Sequence, residues 1–371
     1  MNYIKSLDGL RAIAILLVLL FHFFYTVEVG WVGVQLFFVL SGYLITTILL
    51  NSKTQAFGPY IKRFYWRRVL RIFPLYYFYI ILVAGIYLIQ GIPENFPKLL
   101  PYLLTYAYNF VSIFEGFEID LFFTHFWSLA IEEQFYLFWP FVIFFLNRRT
   151  LKIVLIVILL LAPVIRCYFA DYLINTTDYT PFEIGEIVYR FTPGQFDSFA
   201  FGALIPLFNL QERIQRKARF FSVVSLGCLA LCSWHYFALK SAGHELNFTS
   251  LGLPIGGIEN GQHVWSYSLI GLFSVALILL VTETKLSASL EKIKKVLLEN
   301  RLMVETGKIS YGIYVYHWIL LAVYRKLIHP LVQNHFLSFL LYFAIVYAAS
   351  YFSFVLFEKR FLKLKDKRFK L

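Results

Sequence analysis

Charge is scarce in this chain of 371 residues: Asp, Glu, Lys and Arg make up 15% of it, against 59% hydrophobic residues. A soluble globule does not carry that balance. Cysteine is scarce as well. Cys167, Cys228 and Cys232 all fall in apolar segments, and Cys228 and Cys232 are one helical turn apart, which suits packing. Neither a disulfide framework nor metal-ligand spacing is visible, so no metal is expected. Low-complexity linkers, clear internal repeats and stretches that read as a soluble domain are also missing. The first apolar run has no small-x-small cleavage site after it, and His22 interrupts it. It therefore reads as an uncleaved span rather than a removed signal peptide.

What is present is apolar sequence of spanning length, recurring to the C-terminus at a mean hydropathy of +0.67. These segments predict an all-α polytopic membrane protein with ten spans, at 12–29, 33–50, 72–90, 127–146, 151–170, 194–208, 219–239, 263–281, 308–325 and 336–357. The 194–208 segment is short and needs its flanks. Residues 98–114 carry Pro101, Asn109 and several tyrosines, and read as an interfacial or re-entrant element. The expected organisation is a single membrane domain over 1–371, with no appended soluble domain.

Basic residues orient these spans. Under the ten-span arrangement, segments on the N-terminal side hold 28 of the 34 Lys and Arg residues. The positive-inside rule then puts both termini in the cytoplasm. An eleventh span at 98–114 would reverse every later loop and destroy the agreement. The net charge of +12 thus reads as orientation and attraction to anionic membrane lipids, with no nucleic-acid partner required.

Ionisable residues inside lipid need a reason, and they mark candidate function. Arg11 and His22 lie in LDGLRAIAILLVLLFHFFY, eleven positions apart. That spacing returns to within about 20° of one helix face and puts the histidine roughly 16 Å above the arginine. The expected depth of His22 is the middle of the hydrocarbon core. In YIKRFYWRRVLRIFPLYY, Arg68 and Arg71 share a helix face, and arginine forks suit phosphate oxygens. Lys62 and Arg63 read better as positive-inside charge meeting lipid phosphates. FWSLAIEEQFYLFWP carries Glu132 and Glu133, which point about 100° apart on a helix, so at most one readily faces a given cavity. Trp127, Tyr136 and Trp139 read as interface anchors. Ser310, Gly312 and His317 in ISYGIYVYHWIL suggest close packing or a polar cavity lining.

Seven blocks in order resemble one family: LDGLRAIAILLVLLFH, GVQLFFVLSGYLI, RRVLRIFPLYY, FWSLAIEEQFYLFWP, FDSFAFGAL, GKISYGIYVYHW and FEKRF. The chain is similar to the acyltransferase-3 family of membrane-bound O-acyltransferases, from Leu7 to about Phe361. The family's basic residue, ten intervening residues and histidine fall on Arg11 and His22. Its Arg-x-x-Arg falls on Arg68 and Arg71. Its Trp-x-Leu-x-x-acid-x-Gln pattern selects Trp127, Glu132 and Gln134. One departure stands out: members often carry arginine two positions before the aspartate that matches Asp197, and here that position is Gln195.

The resemblance implies transfer of an acyl group, commonly acetyl, from cytoplasmic acetyl-CoA to a hydroxyl of a cell-surface carbohydrate, at a bacterial inner membrane. Acetyl-CoA is then a co-substrate, and no tightly bound cofactor is expected. Arg68 and Arg71 are the expected phosphate ligands, with Arg11 at the entrance. His22 is the expected general base and Glu132 its orienting carboxylate. Two other classes fit buried charge in helices. A transporter or flippase for a glycan or lipid-linked intermediate gives no reason for the Arg-x-x-Arg edge together with His22. A non-catalytic scaffold would tolerate loss of His22.

Overall fold

The computed structural model describes residues 3–114 and 120–367, with side chains through 364. Residues 1–2, 115–119 and 368–371, which the single-domain and charge expectations include, lie outside the described residues. Helices account for the ordered elements, and among the described residues there is no strand. Ten long helices coincide with the ten apolar segments: α1 Lys5–Phe24, α2 Val32–Ser52, α3 Phe57–Gln90, α4 Phe126–Phe145, α5 Arg148–Thr176, α6 Thr192–Leu207, α7 Lys217–Ser241, α8 Gln262–Val281, α9 Ser310–Leu327 and α10 His335–Ser353. Seven helical segments are long and apolar enough to cross a membrane, and α4, α6 and α9 fall outside that set. The protein is an all-α, multi-pass integral membrane protein.

Boundaries differ from the sequence expectation where no breaker residue announces them. The first helix ends at Phe24, because Tyr25 turns left-handed (φ 53°) and donates its backbone N–H to the Phe21 carbonyl. The third runs through the basic stretch ahead of its apolar part and keeps Pro74 inside it. Its 34 residues make it roughly 51 Å long, well beyond a ~30 Å hydrocarbon core.

The chain divides into two compact units. One comprises 1–51 and 141–307. Its core gathers Leu7, Leu10, Leu36, Val39, Ile205 and Ile278. Small residues set the closest helix approach there: a Cβ on Gly42 would strike the Phe199 backbone, and one on Gly202 the Val39 carbonyl. Lys217 at the start of α7 pairs with Glu283 just past α8, and that bond pulls the Glu283 carboxyl down to about 2.

The other unit comprises 52–140 and 308–371. Residues 98–114 do not form a continuous span in it. They break into helix Phe96–Leu104, a 3₁₀ turn at Tyr108–Phe110 and a final turn at Val111–Phe114. The orphan carbonyls at the first break are capped by tyrosines of α3: Tyr76 donates to Leu103 O at 2.7 Å and Tyr77 to Leu104 O at 3.0 Å. That satisfaction lets irregular backbone persist in apolar surroundings. Farther along, Tyr87 donates to both oxygens of Asp120 at 2.8 and 2.7 Å, while burial pushes the Asp120 carboxyl up.

Candidate functional site

In the first unit, Arg11 and His22 share α1, as their spacing requires. Arg11 does not stand alone. Its Nη1 donates to Asp8 Oδ1 at 2.8 Å, and Tyr3 donates to the other Asp8 oxygen at 2.7 Å. Burial, then the bond to Asp8, raises the Tyr3 hydroxyl above the ordinary tyrosine range. Asp8 sits deep because two glycines let backbone close on it. A Cβ on Gly307 would strike the Asp8 carbonyl, and one on Gly9 the Leu298 backbone. Asp8 and Arg11 stand three positions apart in the LDGLR block, one helical turn. The Arg11 side chain keeps 25% of its exposure.

His22 is half-buried in the last turn of α1, its ring 5.0 Å from that of Phe21. The expected midway position assumed a span beginning at Ala12. With the helix starting at Lys5 and stopping at Phe24, the imidazole stands at its carbonyl end, beside the turn that leads into Glu28–Trp31.

Asp197 has an arginine after all, from another helix. Arg166 of α5 pairs with Asp197 Oδ2 at 2.9 Å, with both side chains fully buried. The same guanidinium donates to Val264 O at 2.9 Å and to Gly194 O, and lies 4.6 Å from the Tyr267 ring centre. Ser268 donates to Asp197 at 3.2 Å. Gln195 meanwhile bonds Tyr189 O at 2.6 Å and accepts from Gln35 at 2.8 Å. Arg190, seven residues before Asp197 in sequence, is held by Glu186 at 2.5 Å. This network ties α5, α6 and α8 together around Asp197. Arg166→Met or Asp197→Leu alone is expected to cost about 3–5 kcal/mol, because each strands a buried charge. The double variant should be more stable than either single variant. Thermal unfolding in detergent measures the cycle, and additive losses would contradict the pairing.

In the second unit, Arg68 and Arg71 lie well inside α3 rather than at its start. The Arg68 guanidinium stands 5.4 Å from the Tyr136 ring centre and 5.9 Å from that of Phe64. Tyr136 donates its hydroxyl to Glu132 Oε1 one turn back on α4. Glu132, Tyr136 and Arg68 therefore form one chain of contacts. Glu133 points differently: it lies within electrostatic reach of Arg68, and its Oε1 is buried with no hydrogen-bond partner. Glu358, from the closing FEKRF block, ends a π-helical turn, accepts from Ser353 at 3.3 Å and lies within reach of Arg71. Tyr136, expected as an interface anchor, thus bridges Glu132 and Arg68, and Glu358 joins from a block to which no role is assigned by sequence. The four-residue step from Glu132 to Tyr136 was the available signal.

The remaining candidate residues of α4 and α9 lie in the same unit. Gln134 donates to Tyr106 O at 2.8 Å and Asn109 Oδ1 at 2.9 Å, pinning the broken 98–114 segment to α4. His317 is fully buried, with Nδ1 2.5 Å from the Tyr314 carbonyl and its ring 4.8 Å from that of His125. Trp127 and Ser310 are buried.

A family model described as an acyltransferase domain matches residues 4–358. The peptidoglycan O-acetyltransferase OatA of Listeria monocytogenes is 38% identical over 170 residues, covering 42% of this chain and 27% of its own. The O-acetyltransferase OatA of Staphylococcus aureus is 30% identical over 345 residues, covering 85% of this chain and 50% of its own. The chain thus spans about half or less of the length of these relatives. No solved structure matches. With a match that runs through Arg11, His22, Arg68, Arg71, Glu132 and Glu358, this chain belongs to the acyltransferase-3 family.

Proposed function

We propose that this chain is a membrane O-acyltransferase, moving an acetyl group from cytoplasmic acetyl-CoA to a hydroxyl of an extracytoplasmic cell-wall glycan, peptidoglycan in the first instance. Family membership over residues 4–358 carries the reading. The relatives named above supply the acetyl group and the peptidoglycan acceptor. The bias of 28 of 34 basic residues to one side supports cytoplasmic termini and a cytoplasmic donor.

The proposed roles follow the two units. On α3, Arg68 and Arg71 hold donor phosphates. Glu132 acts as a positioning residue through Tyr136, whose ring lies under the Arg68 guanidinium. On α1, Arg11 assists the donor, and the His22 imidazole is the general base. The acceptor oxygen attacks the thioester carbonyl, a C–O bond forms and the C–S bond breaks. His22 takes the hydroxyl proton and returns it to the departing CoA thiolate. No covalent acyl-enzyme is invoked.

The acceptor is tested in cells. Mass spectrometry of muropeptides should find O-acetyl groups when the protein is produced and none in an otherwise identical strain without it. Identical muropeptide profiles in the two strains would overturn the peptidoglycan assignment.

A further inference from the structure

An open cavity away from the residues already discussed lies in the first unit, at the far end of α7. It measures about 590 Å³ and is lined by Lys240, Gly243, His244, Glu245, Leu246 and Asn247. That volume falls within the roughly 300–1,000 Å³ of small-ligand sites. Its lining brings an ammonium, an imidazole, a carboxylate and an amide together with the apolar surface of Leu246. Donors and acceptors set beside apolar surface match a sugar, which presents hydroxyls at its edge and C–H groups on its ring faces. Beside it, the Lys240 ammonium lies 5.8 Å from the Tyr236 ring centre, so an aromatic face borders the polar groups.

The loop that forms this cavity is tied to the turn leaving the His22 end of α1. Asn247 Nδ2 donates to Glu28 Oε1 at 2.6 Å, and Thr249 Oγ1 donates to the Thr26 carbonyl, four residues after His22. Trp31 Nε1 donates to Leu253 O at 3.0 Å. Beneath the loop, His235 Nδ1 lies 2.5 Å from the Gly252 carbonyl. Gly252 is left-handed (φ 76°) and presses on the Cys232 backbone, where a side chain would clash. Four anchors hold the segment in shape before any ligand arrives, which lowers the entropic cost of binding.

We infer that this cavity is an acceptor subsite, which takes a saccharide unit of the glycan chain and delivers it toward the His22 end of α1. The inference rests on the acyltransferase reading for the identity of the glycan and on the loop contacts for the site. Lys240 meets a carboxylate or carbonyl of the glycan, and Glu245 accepts from sugar hydroxyls. Both side chains are exposed, so replacing them leaves the fold intact.

The test is calorimetric titration of a soluble disaccharide-peptide fragment of peptidoglycan into the full chain in detergent. Wild type should bind it. Lys240→Ala combined with Glu245→Gln should weaken binding by about tenfold or more, the loss expected for charge-assisted hydrogen bonds. Acetyl-CoA titrated into the same variant should bind as to wild type. Equal fragment affinity in variant and wild type, or no binding to wild type, would overturn the subsite. Acetyl transfer assayed on the same wild-type preparation separates the two readings: fragment binding lost in the variant, with no transfer by wild type, would sink the acyltransferase reading and leave the subsite standing.

Discussion

Replacing His22 by alanine or glutamine is expected to lower acetyl transfer by about 10²–10⁴-fold, the usual contribution of a positioned general base. Glutamine keeps polarity and much of the volume but cannot accept a proton at neutral pH, so it should fare no better than alanine. Expression and thermal unfolding should stay close to wild type, because the ring is half-buried at a helix end and is not part of the first unit's buried core. Acetyl-CoA binding should also persist. Turnover in a purified assay, read beside an unfolding curve, separates a lost base from a lost fold. Activity within a few-fold of wild type would remove His22 from the chemistry.

The second large effect belongs to Arg68 and Arg71. Changing both to glutamine should weaken acetyl-CoA binding on the order of 100-fold, as two charge-assisted contacts are lost. Lysine at both positions should recover part of it, since an ammonium keeps the charge without the planar fork. Arg68 carries a further constraint. Its guanidinium is stacked near Tyr136, whose hydroxyl is held by Glu132. Tyr136→Leu should therefore weaken donor binding modestly with both arginines still in place. Calorimetric titration of the donor measures all three. Arginine variants that bind like wild type would leave the cluster as a membrane-surface anchor.

Much of this architecture was legible in the sequence, because lipid forces spanning segments to be apolar over a fixed length. All ten apolar segments became long helices. The ends were less legible. Tyr25 stops α1 in a left-handed conformation that glycine usually supplies, so no residue type announced it. The basic stretch before Arg71 resembles a loop by charge, yet it contains no helix breaker after Gly58 and Pro59, and it extends α3. The break in 98–114 depends on Tyr106 (φ 53°) and on capping from α3 and Gln134, contacts that no local pattern reveals.

The site shows the same division. Arg11 and His22 on one helix, and Arg68 and Arg71 on another, follow from spacing alone. Partners at long sequence separation do not. Asp197 draws its arginine, Arg166, from α5, 31 positions earlier in the sequence. Glu132 accepts from Tyr136 within its own helix, a partner that the expected orienting role did not include. Side-chain choice among several acceptors is decided by packing, and packing is written in tertiary structure.

The central claim is transfer across the membrane from a coenzyme A thioester to a glycan hydroxyl. Its most direct measurement uses the purified chain in proteoliposomes, with isotope-labelled acetyl-CoA supplied on the side of the termini and soluble peptidoglycan fragments on the other. The account predicts label on fragment hydroxyls with wild-type protein, and none with His22→Ala. Label that stays wholly on coenzyme A, or transfer undiminished in the variant, would contradict it.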